Sequence, residues 1–94
     1  MNQQKLPIRL PLGRQVITPN ALDCLHPADV VFAMQRHVRG DWGDVCPEDW
    51  QSNQDALVNG ERILSAYEDR TGREFWIITE ACRSATTVLL PEDY

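Results

Sequence analysis

Much of what usually identifies a protein is missing from this chain. Its three cysteines, Cys24, Cys46 and Cys82, lie far apart and form no CxxC pair, so a zinc ribbon or a thioredoxin-like site has no support. Three dispersed thiols fit a reducing compartment, and each reads as a small, part-buried apolar side chain. Met1 to Pro7 lacks the apolar run of a signal peptide. Apolar runs elsewhere are a few residues long, far short of the roughly 20 that a membrane-spanning helix needs. There is no HExxH, no acidic calcium loop and no glycine-rich phosphate loop. Repeats, low-complexity stretches and long linkers are absent too. The expectation left standing is one domain over residues 1–94, in the cytoplasm, with no cofactor and no metal.

Basic residues are missing from one place in particular. Gly40 to Glu61 holds six acids (Asp41, Asp44, Glu48, Asp49, Asp55 and Glu61) and neither Lys nor Arg. The whole chain has 9 basic and 14 acidic residues and a net charge of −5. Residues 1–40 carry a surplus of positive charge and residues 41–94 a surplus of negative charge. Such asymmetry speaks to partners rather than to fold. Apolar residues make up 43% of the chain, enough for a core that folds without disulfide staples.

Proline marks the helix starts. Thr18-Pro19, His26-Pro27 and Cys46-Pro47 each put proline at a first helical position, where its missing N–H costs nothing. These predict helices over about Pro19–Leu25, Pro27–Val38 and Pro47–Asn59. Thr18 can cap the first, and Asp29 and Glu48-Asp49 favour the positive ends of the other two. Val30, Val31, Met34 and Val38 form an apolar stripe on the second, which Gly40 ends. Trp50, Leu57 and Val58 align on the third.

Beyond Gly60 the period becomes two. Arg62–Glu68 and Arg73–Glu80 predict strands around the turn Asp69-Arg70-Thr71-Gly72, and Thr86–Leu90 a third strand. Phe75-Trp76-Ile77-Ile78 is apolar on both faces, which predicts a central strand covered by helices. Glu92-Asp93-Tyr94 reads as a short tail. Leu6–Ile17 is broken by Pro7, Pro11 and Gly13, so it reads as extended, with Val16-Ile17 the best candidate for edge pairing. Residues 1–9 read as an extended or flexible lead-in. The fold expected is α+β: about three helices on a small, mainly antiparallel sheet ending in a three-stranded β-meander.

Candidate chemistry is sparse. His37, Glu80 and Arg83 sit at predicted element ends and would be the catalytic set of a small toxin-like nuclease, with His37 as acid–base group. The bland readings are a His37 ring near the carbonyls that end its helix, and a Glu80–Arg83 ion pair across a turn. His26 shows no partner. Lys5, Arg9, Arg14, Arg36 and Arg39 could touch nucleic acid, but five cations in a chain with pI near 4.8 are thin support. Asp41-Trp42-Gly43-Asp44 either closes a turn, with Trp42 packed on the sheet, or offers Trp42 or Trp50 as an exposed interface anchor. A helix bearing Glu48, Asp49 and Asp55 without Lys forgoes the usual i,i+4 pairing, which fits a surface that needs negative charge.

Longer blocks carry a resemblance. Leu10-Pro11-Leu12-Gly13, the run Arg36-His37-Val38-Arg39-Gly40-Asp41-Trp42-Gly43-Asp44, Gly60-Glu61-Arg62-Ile63-Leu64-Ser65-Ala66-Tyr67, and Trp76-Ile77-Ile78-Thr79-Glu80-Ala81-Cys82-Arg83-Ser84-Ala85-Thr86-Thr87-Val88-Leu89-Leu90-Pro91 are similar to a family of small bacterial plasmid-related, mobile-element proteins. The likeness spans most of residues 10–94. Cys82 stands where the pattern has an acid, and Cys46-Pro47 is unusual. The resemblance implies a bacterial cytoplasmic protein linked to mobile DNA.

Together these features lead to an expected function: a non-enzymatic mobile-element protein that inhibits a host defence complex, a CRISPR or restriction effector. Asp41, Trp42, Asp44, Glu48, Asp49, Trp50 and Asp55 would meet a basic protein surface. The alternatives are the nuclease and a regulatory or antitoxin-like subunit, the latter working as an oligomer such as a homodimer.

Overall fold

The computed structural model describes residues 9–94, so most of the lead-in expected over residues 1–9 lies outside the described residues. Strand β1 (Arg14–Ile17) is followed by helices α1 (Pro19–Cys24), α2 (Pro27–Val38) and α3 (Pro47–Asn59). Then come β2 (Ile63–Glu68), β3 (Glu74–Thr79), β4 (Ala85–Leu89) and a 3-10 turn over Pro91–Asp93. The class is α+β. All three helices open on proline, with Thr18 and His26 supplying caps: Thr18 Oγ1 accepts from the Ala21 amide and His26 Nδ1 from the Ala28 amide. His26 therefore has a partner the sequence did not reveal.

The sheet order is β1-β4-β3-β2. β2 pairs antiparallel with β3 and β3 with β4, but β1 lies parallel to β4, with Arg14 opposite Ala85 and Ile17 opposite Val88. The sheet is thus four-stranded and mixed: two of its three pairings are antiparallel, as expected, and the parallel seat of β1 is the departure. Three helices separate β1 from the strands that follow, giving the chain the length a parallel return requires. Gly13 leads into β1 so closely that a Cβ there would lie 2.4 Å from the Arg83 carbonyl oxygen.

Alternation assigns the faces. Ile63, Ser65, Tyr67, Phe75, Ile77, Thr79, Thr86 and Val88 share one face, and all are buried. The helices pack on this face. Ala21, Leu25 and Ala33 join Tyr67, Phe75, Ile77, Val88 and Leu90 in one apolar cluster, while Leu10, Trp42, Ala56 and Ile63 form a second. The central strand β3 is buried as expected, but its other face is not under helices. There Tyr94 packs edge-on against Trp76, with ring centroids 5.8 Å apart, and the Arg62 guanidinium lies over the Tyr94 ring. The C-terminal residues are not a free tail: Asp93 accepts from Thr18 Oγ1 at 2.6 Å and from Asn20 Nδ2 at 2.7 Å, tying the chain end to the start of α1.

Val31 departs from the expected apolar stripe. Val30, Met34 and Val38 are partly buried, whereas Val31 is 58% exposed. The cysteines also differ from expectation, since all three are exposed free thiols.

Candidate functional site

The loop from α2 to α3 is built on Gly43. Its φ of +73° and a bridge to Ala66 place its backbone against β2, where a Cβ would sit 2.0 Å from the Ala66 carbonyl oxygen. The Ala66 amide donates to the Trp42 carbonyl, and the Asp44 amide donates to the Ala66 carbonyl at 2.7 Å. One step along β2, Asn53 of α3 covers the Leu64 backbone from both sides: Nδ2 donates to the carbonyl at 2.8 Å and Oδ1 accepts from the amide at 3.3 Å. A side chain and a loop thus close this edge of the sheet, which would otherwise invite another strand.

That architecture decides what each expected site residue can do. Asp41 is held by Arg36 through two contacts, Nε–Oδ2 at 2.8 Å and Nη2–Oδ1 at 3.2 Å, and also accepts from the Gly43 amide. The hydrogen bond from Arg36, the larger influence, holds the Asp41 carboxyl below the usual range. Trp42 is fully buried, with its indole N–H donating to Gln54 Oε1 at 2.8 Å, so it is not an exposed anchor. Trp50 is half-buried against the second apolar cluster. Asp44, Glu48, Asp49, Asp55 and Glu61 are exposed, and among the described residues none forms an ion pair. Among the described residues Asp55 accepts from Gln51 alone. At 100° per residue Glu48 and Asp55 fall on one solvent-facing stripe of α3, with Asp49 about a quarter-turn away. Asp49 lines a small cavity of about 210 Å³ shared with Ser52, Asn53 and Arg62.

The expected catalytic trio does not assemble. His37 has no solvent exposure and contacts Ser65 Oγ at 2.6 Å through Nδ1 and Thr79 Oγ1 at 2.8 Å through Nε2. It does not serve the helix-end carbonyls. Burial pushes its pKa down to about 4. Glu80 pairs with Arg62 at 3.7 Å rather than with Arg83. Arg83 is spent on three carbonyls: Glu61 at 2.6 Å, Ala56 at 2.9 Å and Glu80 at 3.2 Å. No cluster of three or more metal-ligating side chains occurs among the described residues.

Sequence reasoning missed several residues. Ser65, Thr79 and Thr86 looked like ordinary strand residues, yet they form a buried polar row that His37 completes. Their common parity was the available signal. A groove of about 590 Å³ between α2 and the segment entering β1 was also missed; Arg9, Leu12, Gln15, Val31 and Arg39 are among its lining. Its signal was an apolar stripe on α2 wider than the core required.

Comparison of the chain with protein-family models, curated proteins and solved structures gives no match.

Proposed function

We propose that this protein acts by binding, presenting the surface around α3 to a basic face of a partner that processes nucleic acid. The observation that supports this is the unpaired state of Asp44, Glu48, Asp49, Asp55 and Glu61. Asp29, Asp41, Glu80 and Glu92 each lie within 4.0 Å of an arginine. Among the described residues Asp23, Glu68, Asp69, Glu74 and Asp93 do not either, but they are scattered along the chain, and Asp69, Glu74 and Asp93 accept side-chain hydrogen bonds, whereas these five acids are gathered in one segment. Five solvated carboxylates within 18 residues raise the local negative potential and speed encounter with a cationic surface. The resemblance to mobile-element proteins supplies the context, in which the partner is a host CRISPR or restriction effector and binding blocks its nucleic-acid cleft. Trp42 is left out of the contact, and Asp41 contributes only as a charge already neutralised by Arg36.

The test is retention of a CRISPR surveillance complex, and separately of a restriction complex, on the immobilised full chain. Retention is expected to fall steeply when Asp44→Asn, Glu48→Gln, Asp49→Asn and Asp55→Asn are combined, and to weaken with added salt. Retention indifferent to these four changes would remove the acidic surface from the mechanism. The nuclease reading lacks its acid–base group, because His37 is enclosed.

A further inference from the structure

Among the described residues the sheet is closed along β2 but open along β1. The Arg14 and Thr18 amides donate to the carbonyls of Ser84 and Val88 beside β4. Strand alternation then turns the N–H and C=O groups of Gln15 and Ile17 away from β4, and among the described residues these groups have no partner. The 590 Å³ groove runs beside this edge on the helical side, with Leu12 and Gln15 on one wall and Val31, Met34 and Val38 of α2 on the other. Exposed Arg9 and Arg39 line it as well.

The cations here differ from those elsewhere. Arg36, Arg62, Arg70 and Arg73 each pair with a carboxylate, and Arg83 is occupied by carbonyls. Arg9, Arg14 and Arg39 have no carboxylate partner among the described residues, and residues 1–8 contain no Asp or Glu. An unpaired strand edge, an apolar trough and the uncompensated guanidinium groups of Arg9 and Arg39 therefore meet in one place, with Arg14 on the same strand but on its other face.

We infer that this edge binds an extended acidic segment of a partner protein, which joins the sheet as a fifth strand beside β1. Its backbone bonds to Gln15 and Ile17. Alternate apolar side chains enter the groove beneath α2, and its carboxylates meet Arg9 and Arg39. Backbone bonds supply affinity in this mode, and the pockets select the side chains. Pairing β1 with β1 of a second copy would instead bring Arg14 and its neighbouring cations together, a like-charge contact that opposes it.

The experiment titrates the full chain into a fluorescein-labelled ten-residue peptide with two Glu at each end and alternating Val and Thr between. The expected result is saturable binding with slowed hydrogen exchange at the Gln15 and Ile17 amides. Arg9→Glu with Arg39→Glu, both on exposed side chains, should weaken binding about tenfold or more without altering the melting temperature. A Lys-flanked peptide should bind about tenfold more weakly or worse. Unchanged exchange at Gln15 and Ile17, or affinity indifferent to the two arginines, would overturn the proposal. It would also fall to a solution mass showing a dimer on this edge, to preference for a single-stranded oligonucleotide, or to peptide binding that requires removal of residues 1–8.

Discussion

His37 Nε2 lies 2.8 Å from Thr79 Oγ1, and the chain of hydroxyls beyond that contact sets the protonation of the ring. Thr86 Oγ1 donates to the Leu12 carbonyl at 2.7 Å, which uses its only hydrogen. Thr86 must then accept from Thr79, 2.8 Å away. Thr79 in turn accepts from His37, so Nε2 carries the proton and Nδ1 accepts from Ser65. The row links α2, β2, β3, β4 and the segment before β1 without an unsatisfied buried side-chain group among the described residues. It fixes the position of α2, which forms one wall of the groove.

A neutral, fully bonded imidazole makes stability depend on pH. The ring titrates at about 4 when folded, against 6.5 for the unperturbed group. Between these values the unfolded chain binds more protons than the folded one, so stability rises with pH across the interval and is lost as pH falls from 6.5 towards 4. The difference amounts to about 3 kcal/mol. Urea unfolding at pH 7, 5.5 and 4.5 should show this loss in the native chain and a much smaller one in His37→Gln.

Gly43 and Gly60 both hold positive φ, at +73° and +70°, but their surroundings differ. A Cβ at Gly43 would strike the Ala66 carbonyl, whereas one at Gly60 meets nothing within 4 Å. Gly43→Ala should cost roughly 2–4 kcal/mol through strain and displacement of the loop that closes β2. Gly60→Ala carries the backbone strain alone, about 1 kcal/mol. Thermal denaturation of the two variants measures the gap.

The sequence revealed local features well and distant ones poorly. Proline at the first helical position located all three helices, because that signal rests on the residue's own geometry. Alternation placed β2, β3 and β4. The parallel seat of β1 was hidden, since its register with β4 joins residues about seventy apart and the strand is only four residues long, behind a segment broken by Pro11 and Gly13. His37 was misread for the same reason: its partners are 28 and 42 residues away. Asp41 was closer to legible, being five residues from Arg36 across the helix end. The acids of α3 were visible by composition, but which of them lack partners depended on where Arg62, just before β2, and the arginines of the turns came to lie.

Asp41 and Asp44 should part company on mutation. Asp41→Asn loses the paired contact with Arg36, whose guanidinium also lies 4.9 Å from the centre of the Tyr67 ring. The carboxylate is 44% exposed, so the loss should be about 1 kcal/mol. Asp44→Asn removes no side-chain hydrogen bond and should stay within about 0.5 kcal/mol of the native chain. Paired chemical denaturation curves at neutral pH would show whether the turn uses one acid or both.

Arg83 offers a sharper test, because it combines an unfavourable backbone with a favourable side chain. It is the one non-glycine residue among those described with positive φ, at 60°. Its guanidinium ties the Ala56 and Glu61 carbonyls at the end of α3 to the β3–β4 turn. Arg83→Ala keeps the strain and loses the bonds, for an expected cost of about 1–3 kcal/mol. Arg83→Gly loses the same bonds but relieves the left-handed conformation, recovering about 1 kcal/mol. Stability should therefore fall in the order Arg, Gly, Ala. An Ala variant as stable as the Gly variant would show that the positive φ relaxes once the guanidinium is gone. The strain would then exist only because the three carbonyls hold the arginine in place.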